Sequence, residues 1–405
     1  VAFPTITEKY GSLSATGLAK ETTFGTPVVA NAFLPMTGNT MEADPGWFSP
    51  PLMQGTRDLQ VYNLYGEAKY TGSIDGPLFP SNAMELLVAS IGADATAGAG
   101  VTGSTPTSST TLAAPITSGT NAFSLTSATG YAVGSIIQVD VNATGPVTTS
   151  EVRKIATLTG TTGTVDTNWG FNHASAAPVS VVVAPFTHTI AQQNTLPSLT
   201  VEKNLGGYQS LQFAGCKVGK FDLKAPTGNN PVTVTADMSG RSVAVLDNPT
   251  PISVVNENPF VFAEANLTIY STLRTEVSNV GVTIDNGLKE TYTYSNQHGP
   301  SFITPVTLHT SGSIDLVFDS LDDATYGDFN RMTNGTLGAL SFSLVHPDSA
   351  GTVTIDLPQI ALSKYANDIK MSDVVMSNLT YEASKDPTAG YTIRATVVNN
   401  VYLPY

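Results

Sequence analysis

Gly72-Ser73-Ile74-Asp75 recurs 240 positions later as Gly312-Ser313-Ile314-Asp315, and the reading of the whole chain turns on that repetition. After the first copy come Pro80, Ser81 and Asn82, then the apolar-periodic run Met84, Leu86, Leu87, Val88, Ile91, closed by Gly92. After the second come Asp319, Leu321, Asp322 and Asp323, then Tyr326, Phe329 and Met332, closed by Gly335. Both continuations predict a strand feeding a capped helix, with Asp322 and Asp323 placed to complement the dipole of the second. The repeated Asp75 and Asp315 mark strand ends, where a carboxylate accepts backbone N–H bonds at the turn that follows.

Further out, Phe221-Asp-Leu-Lys, a turn at Pro226 to Asn230, and Val232-Thr-Val-Thr-Ala-Asp predict a β-hairpin. Leu379-Thr-Tyr-Glu, a turn at Lys385 to Gly390, and Tyr391-Thr-Ile-Arg-Ala-Thr-Val predict another. Gly72 and Val232 lie 160 positions apart, Gly312 and Tyr391 only 79, so the first unit carries an excess of 81 residues. The stretch from Val101 to Ala184 supplies it: Gly/Ala/Ser/Thr/Pro-rich segments at Ala95 to Thr111 and Ala174 to Pro178 lie at its two ends, and it holds short strands such as Ser135-Ile-Ile-Gln-Val-Asp-Val and Val179-Ser-Val-Val-Val. The expected organisation is a first unit over 1–100 and 186–260, a small inserted β-domain over 101–185, and a second unit over 261–405.

Composition points the same way. Only 12% of the 405 residues are charged, and Thr, Val, Ser, Ala, Gly and Asn dominate, which suits pleated, half-buried surfaces and predicts a mainly β fold. The single Cys216, in the apolar run of Phe213, Ala214 and Val218, cannot form an intramolecular disulfide and reads as a buried small hydrophobe. No apolar run reaches the roughly 20 residues of a membrane span, and the first residues lack a secretory pattern.

Catalytic chemistry finds little to work with. His173, His188, His298, His309 and His346 are dispersed, without metal-ligand spacing. His173 reads as closing a turn of the inserted domain and His298, before Gly299-Pro300, as a loop residue. The Gly-rich segments lack the Gly-Lys-Ser/Thr ending of a phosphate loop, and no Gly-x-Ser-x-Gly elbow is present. We therefore expect no enzyme, no cofactor and no metal. The net charge of −14, with no basic patch, disfavours binding nucleic acid through its phosphates.

Gly17-Leu-Ala-Lys-Glu-Thr-Thr-Phe-Gly-Thr-Pro, Phe33-Leu-Pro, Asp44-Pro-Gly, Gly55-Thr-Arg, Tyr70-Thr-Gly-Ser-Ile-Asp-Gly-Pro-Leu-Phe-Pro and Glu85-Leu-Leu-Val-Ala-Ser-Ile-Gly follow one another in an order and spacing that resemble the opening of major tail tube proteins of long-tailed, non-contractile bacteriophages (siphophage type). Asn286-Gly-Leu, the second Gly-Ser-Ile-Asp and the terminal hairpin resemble the same family more weakly. The resemblance implies a β-sandwich or barrel unit with a flanking helix, here in two copies, that assembles into rings stacked as a hollow tube. Where relatives use six units per ring, a duplicated chain implies a homotrimer with pseudo-sixfold symmetry in preference to a hexamer.

It further implies a virion tail protein assembled in the host bacterial cytoplasm, with tape-measure, tail-terminator and distal tail proteins as partners, no membrane, and genomic DNA passing through the lumen without specific binding. Three chains would carry a formal charge of −42, a like-charged wall for that DNA wherever acids face inward. Candidate inter-ring contacts are the aromatics of two long loops, Pro45, Trp47 and Phe48 in the first unit and Tyr292, Tyr294 and Phe302 in the second, with the arms Val1 to Pro27 and Val401 to Tyr405 beside them. The inserted domain should project outward. The alternative reading is a modular β-rich adhesin or carbohydrate-binding protein; a polysaccharide depolymerase would need many short repeats where two long ones occur.

Overall fold

The computed structural model describes residues 10–53, 55, 57–58, 62–81, 84–94, 101–142, 145–254, 257–294, 298–318, 327–347, 351–369, 371 and 374–403. The first half of the chain runs through β1 (Ala15–Lys20), β2 (Ala32–Leu34), β3 (Gly38–Asn39), β4 (Glu42–Asp44), β5 (Trp47–Phe48), β6 (Leu64–Tyr65), β7 (Lys69–Pro77), helix α1 (Met84–Ile91) and β8 (Gly92–Asp94). Then follow β9 (Val101–Thr111), β10 (Ala122–Ser124), β11 (Ile136–Asn142), β12 (Gly145–Thr159), β13 (Thr162–Val165), β14 (Pro178–Gln192), β15 (Leu199–Leu205), β16 (Gln209–Pro226), β17 (Thr233–Gly240) and β18 (Ser242–Leu246). The second half holds β19 (Ala265–Ile269), β20 (Thr272–Arg274), β21 (Val277–Asp285), β22 (Leu288–Thr291), β23 (Phe302–Pro305), β24 (His309–Val317), α2 (Asp328–Thr333), β25 (Gly338–Val345), β26 (Thr352–Asp368), β27 (Met376–Ala383) and β28 (Arg394–Asn399). The protein is mainly β, as its composition predicts. Asn82 and the acidic start expected for the second helix, Asp319 to Tyr326, lie outside the described residues.

One antiparallel sheet crosses the whole molecule in the order β4, β7, β17, β16, β21, β24, β27, β26. Behind it stand two backing sheets, β2-β1-β15-β16-β18 and β20-β19-β25-β26-β28. The long strands β16 and β26 belong to both layers, and each slips register at the same place, at Gly219 between Val218 and Lys220 and at Ser363 between Leu362 and Lys364. Such bulges bend a strand so that it can pass from one sheet into another. The strand order is thus the same in both halves.

Period-two alternation explains the Gly-Ser-Ile-Asp motif. Ile74 and Ile314 point into a single core that runs from Leu18 to Val397, while the Ser and Asp on either side face out. The Gly is needed for close approach: a Cβ on Gly72 would lie 2.5 Å from the Met41 backbone, and one on Gly312 would meet the Gly281 carbonyl and the Tyr381 hydroxyl. Asp75 and Asp315 lie inside β7 and β24, not at their ends, and their carboxylates meet side chains: Asp75 accepts from Ser73 Oγ (3.3 Å) and Asp315 from Asn279 Nδ2 (3.1 Å). Cys216 is fully buried, and burial pushes its thiol up.

Phe221 to Asp237 forms the expected hairpin, β16 on β17. The second one does not form. β27 pairs with β24 and β26, whereas β28 leaves it and pairs with the first part of β26 and with β14. The turn between them exists, with Asp386 Oδ1 accepting from Thr388 N (2.7 Å) and Ala389 N (2.6 Å), but local signals fix strands and turns and leave the partner to the tertiary fold. The landmarks that correspond by register are Asp75 with Asp315 and Leu199 with Gly338, separated by 124 and 23 positions; the first half carries 101 extra residues, more than the 81 counted from hairpins.

Residues 112–181 hold a hydrophobic cluster of their own, around Leu112, Phe123, Ile137, Ile155 and Trp169. Here His173 is buried between carboxylates: Nδ1 lies 2.6 Å from Asp140 Oδ2 and Nε2 3.1 Å from Glu151 Oε1, while Glu151 also accepts from Gly170 N (2.8 Å), Phe171 N (2.6 Å) and Arg153. Its backbone exchanges hydrogen bonds with Ile116, so it does more than close a turn. Burial opposes both charges, but the hydrogen bonds outweigh it: Glu151 is held below the usual carboxylate value and His173 above the usual imidazole value. A lowered Glu151 stabilises at pH above its unfolded value, and that contribution disappears as pH falls through the folded one; a raised His173 stabilises below its unfolded value and loses this as pH rises through the folded one. The cluster is therefore expected to melt highest between the ordinary 4.5 of Glu and the ordinary 6.5 of His, and to lose stability on either side as Glu151 and then His173 titrate. His173→Ala should abolish the alkaline limb, read as Trp169 fluorescence against temperature and pH; an unchanged profile would remove His173 from the account.

Candidate assembly surfaces

Three surfaces of the fold lack an intramolecular cover among the described residues. The first is the outward face of the long sheet. Strict alternation places Ser73, Asp75, Thr235, Asp237, Asp222, Thr283, Ser311, Ser313, Asp315 and Glu382 on it, with Lys220, Lys224 and Lys364 among them, and turns Phe221, Leu223, Ala236, Val282, Ile284 and Leu379 into the core. The face is hydroxyl-rich and its acids outnumber its lysines. Lys220 donates to Asp222 Oδ2 (2.7 Å), which holds its ammonium above the usual value. Asp237 is pushed up, by partial burial first and by its neighbours Asp222 and Asp75, against the pull of Lys220. Shallow grooves at the two bulges are lined by Ser73, Lys220 and Asp237, and by Ser313, Ser363 and Thr380.

The second surface is a pair of sheet edges. In the middle of the sheet β16 is paired on both sides over residues 220–224, by β17 and by β21. Among the described residues the matching stretch of β26 is paired by β27 alone, and β3 and β4 by β7 alone. On the latter edge Met41 N donates to Asn39 Oδ1 (3.0 Å) and Met41 O accepts from Lys203 Nζ (3.1 Å), side-chain caps of the kind that blunt an open edge.

The third is a pair of hairpins, β5 with β6 and β22 with β23, which leave the sheet through the same turn. Gly46 N donates to Asp44 Oδ1 and Gly287 N to Asp285 Oδ1, each at 2.9 Å, with positive φ at Gly46 (60°) and Gly287 (49°). Trp47 (63%), Phe48 (52%), Phe302 (59%) and Tyr294 (113%) are exposed, and Pro45 is half-buried. Tyr292 is instead tied back: its hydroxyl lies 3.2 Å from the Ala68 carbonyl and 3.0 Å from Glu290 Oε2. The loop of the second hairpin meets the base of the first, where Tyr65 stacks on His298 (3.8 Å, 29°) and packs against Trp47 (5.4 Å), and Ala68 N donates to the His298 carbonyl (2.8 Å). His298 is a loop residue, but one that joins two hairpins, a role its own sequence gave no sign of.

Among the described residues no group of three His, Cys, Asp or Glu could hold a metal ion, and no helix is long and apolar enough to cross a membrane. A family model described as phage tail tube protein matches residues 11–383, a span that takes in both halves and the stretch between them. No curated protein matches the chain.

Proposed function

The chain belongs to the phage tail tube protein family, a family of structural virion proteins and not of enzymes, and from that premise we propose that three copies close into a ring, that rings stack into the tail tube of a siphophage-type virion, and that the genome passes through its lumen. The observation that carries the trimer is the junction of β16 with β21. It joins two blocks of identical strand order inside one chain, so that three chains supply six blocks. Eight strands per chain then close into a barrel of 24, which leaves no edge.

The polar face of the long sheet forms the lumen wall in this arrangement. Its acids repel phosphate and its hydroxyls hold no fixed charge, a surface past which DNA slides without being bound. The hairpins reach to the next ring, tape-measure, tail-terminator and distal tail proteins meet the tube along and at the ends of its length, and assembly takes place in the host bacterial cytoplasm. Exposed aromatics concentrate on the two hairpins (Trp47, Phe48, Tyr62, Tyr65, Tyr294 and Phe302), which favours a stacking surface over the adhesin reading.

The extra cluster at residues 112–181 is an outward decoration. Gly103 and Phe186 are cross-strand neighbours at its foot, so residues 104–185 can be replaced by Asn-Gly as a two-residue turn. Electron cryomicroscopy of the purified chain and of this deletion tests the whole reading. End-on views of the full chain should show hollow rings with three projections, and the deletion the same rings without them; six projections would replace the trimer by a hexamer, dispersed monomers would count against the tube, and a deletion that cannot fold would make the cluster part of the ring.

A further inference from the structure

We propose that the ring closes by strand addition between chains in a defined register: residues 364–368 of β26 pair with residues 40–44 of the next chain, β4 and the two residues before it, with Lys364 opposite Asp44 and Ala366 opposite Glu42. The inference rests on the ring reading above and specifies its joint. Inside the chain the equivalent joint is already made, Lys220 opposite Asp285 and Asp222 opposite Thr283. The two halves correspond residue by residue around it. The register slips at Gly219 and Ser363 equate Lys220 with Lys364 and Asp222 with Ala366. The pairings of Asp285 with His309 and of Asp44 with Lys69, in strands whose Gly-Ser-Ile-Asp motifs superpose, equate Asp285 with Asp44, and the shared turn through Gly287 and Gly46 fixes that match independently.

Carried over to the open edges, the correspondence fixes direction, register and facing residues at once. The outcome is chemically matched: a lysine again faces an aspartate, and the unpaired N–H and C=O groups of two edges satisfy each other. The caps on Met41 by Asn39 and Lys203 are exchanged for main-chain bonds.

The test uses assembled tubes of the unaltered protein, made from equal parts of unlabelled and 15N-labelled chains and treated with a water-soluble carbodiimide, which condenses an amine and a touching carboxylate into an amide with loss of water. Mixed-label peptides joining Lys364 to Asp44, or to its same-face neighbour Glu42, are expected. Tubes that form normally but in which Lys364 couples to no acid of residues 42–44 overturn the register while leaving the tube intact; failure to form tubes strikes at the proposed function instead. As a second arm, Glu42→Cys with Ala366→Cys should give a covalent ladder ending at three chains on mild oxidation, and Ala43→Cys with Ala366→Cys should not, because a shift of one residue turns the side chain to the other face. The reverse pattern overturns the proposal, and if the cysteine pairs do not assemble, the carbodiimide result on unaltered tubes decides.

Discussion

Replacing residues 49–63 by Asn-Gly is expected to leave a folded, ring-forming chain that no longer makes tubes. Phe48 and Leu64 are directly opposite each other, so the shortened hairpin closes as a two-residue turn without disturbing the sheet below. What it loses is the distal part of the first hairpin, including Leu52 and the fully exposed Met53. Covering a large apolar side chain contributes about 1.5–3 kcal/mol, and several such side chains repeated around a ring amount to a cooperative interface even after the cost of association. Sedimentation velocity and negative-stain imaging of the variant should find rings and no filaments, with the melting temperature of the protomer unchanged. Tubes of normal length would take this hairpin out of the stacking contact; loss of rings as well would place it between neighbouring chains of one ring.

Gly312→Ala should be among the most damaging single methyl additions in the chain. The new Cβ would strike the backbone carbonyl of Gly281 on β21 and the hydroxyl of Tyr381 on β27, which itself donates to that carbonyl at 3.0 Å. Backbone cannot turn aside as a side chain can, so overpacking of about 1–3 kcal/mol is joined by about 1–3 kcal/mol for the buried hydroxyl left without its acceptor. Against a typical domain stability of about 5–15 kcal/mol that is a large fraction. Gly281→Ala provides the comparison, because its Cβ meets Ser313 Oγ at 3.3 Å, an atom free to rotate. Urea unfolding should separate the two variants by several kcal/mol; equal midpoints would mean that β24 can shift away from β21 at little cost.

These two positions also show how far the sequence could be read. Gly-Ser-Ile-Asp could be placed on a strand because the apolar period is local, and its recurrence led to two strand-then-helix units without any knowledge of pairing. The reason for its Gly was not legible, since Met41 and Gly281 come near only through pairing with strands far away in the chain. The same limit produced the mistaken terminal hairpin: Leu379 and Tyr391 each announce a strand, but β28 finds its partners in β26 and β14. The aromatics of the two long loops were legible as exposed because such side chains have no polar company, yet Tyr292 turned back to Ala68, a contact across more than two hundred positions. The polar face was hidden for a different reason. Its acids, Asp75, Asp222, Asp237, Asp315 and Glu382, are scattered singly through five of the eight strands, so no window of sequence contains the charge pattern that the sheet assembles.

Two strands, β9 and β14, run from the cluster at residues 112–181 straight into the rest of the protein. β14 pairs with β9 and β11 over Pro178–Val183 and then, past Pro185, with β28 over Phe186–Ala191. A body mounted on a strand that continues into its support cannot swivel freely, as one hung from a glycine linker would. In a stacked tube every such body would keep a fixed bearing to its own ring, so the rows of decorations would act as built-in pointers: any twisting of the tail during ejection would turn them together, and the angle could be read from the outside of the virion.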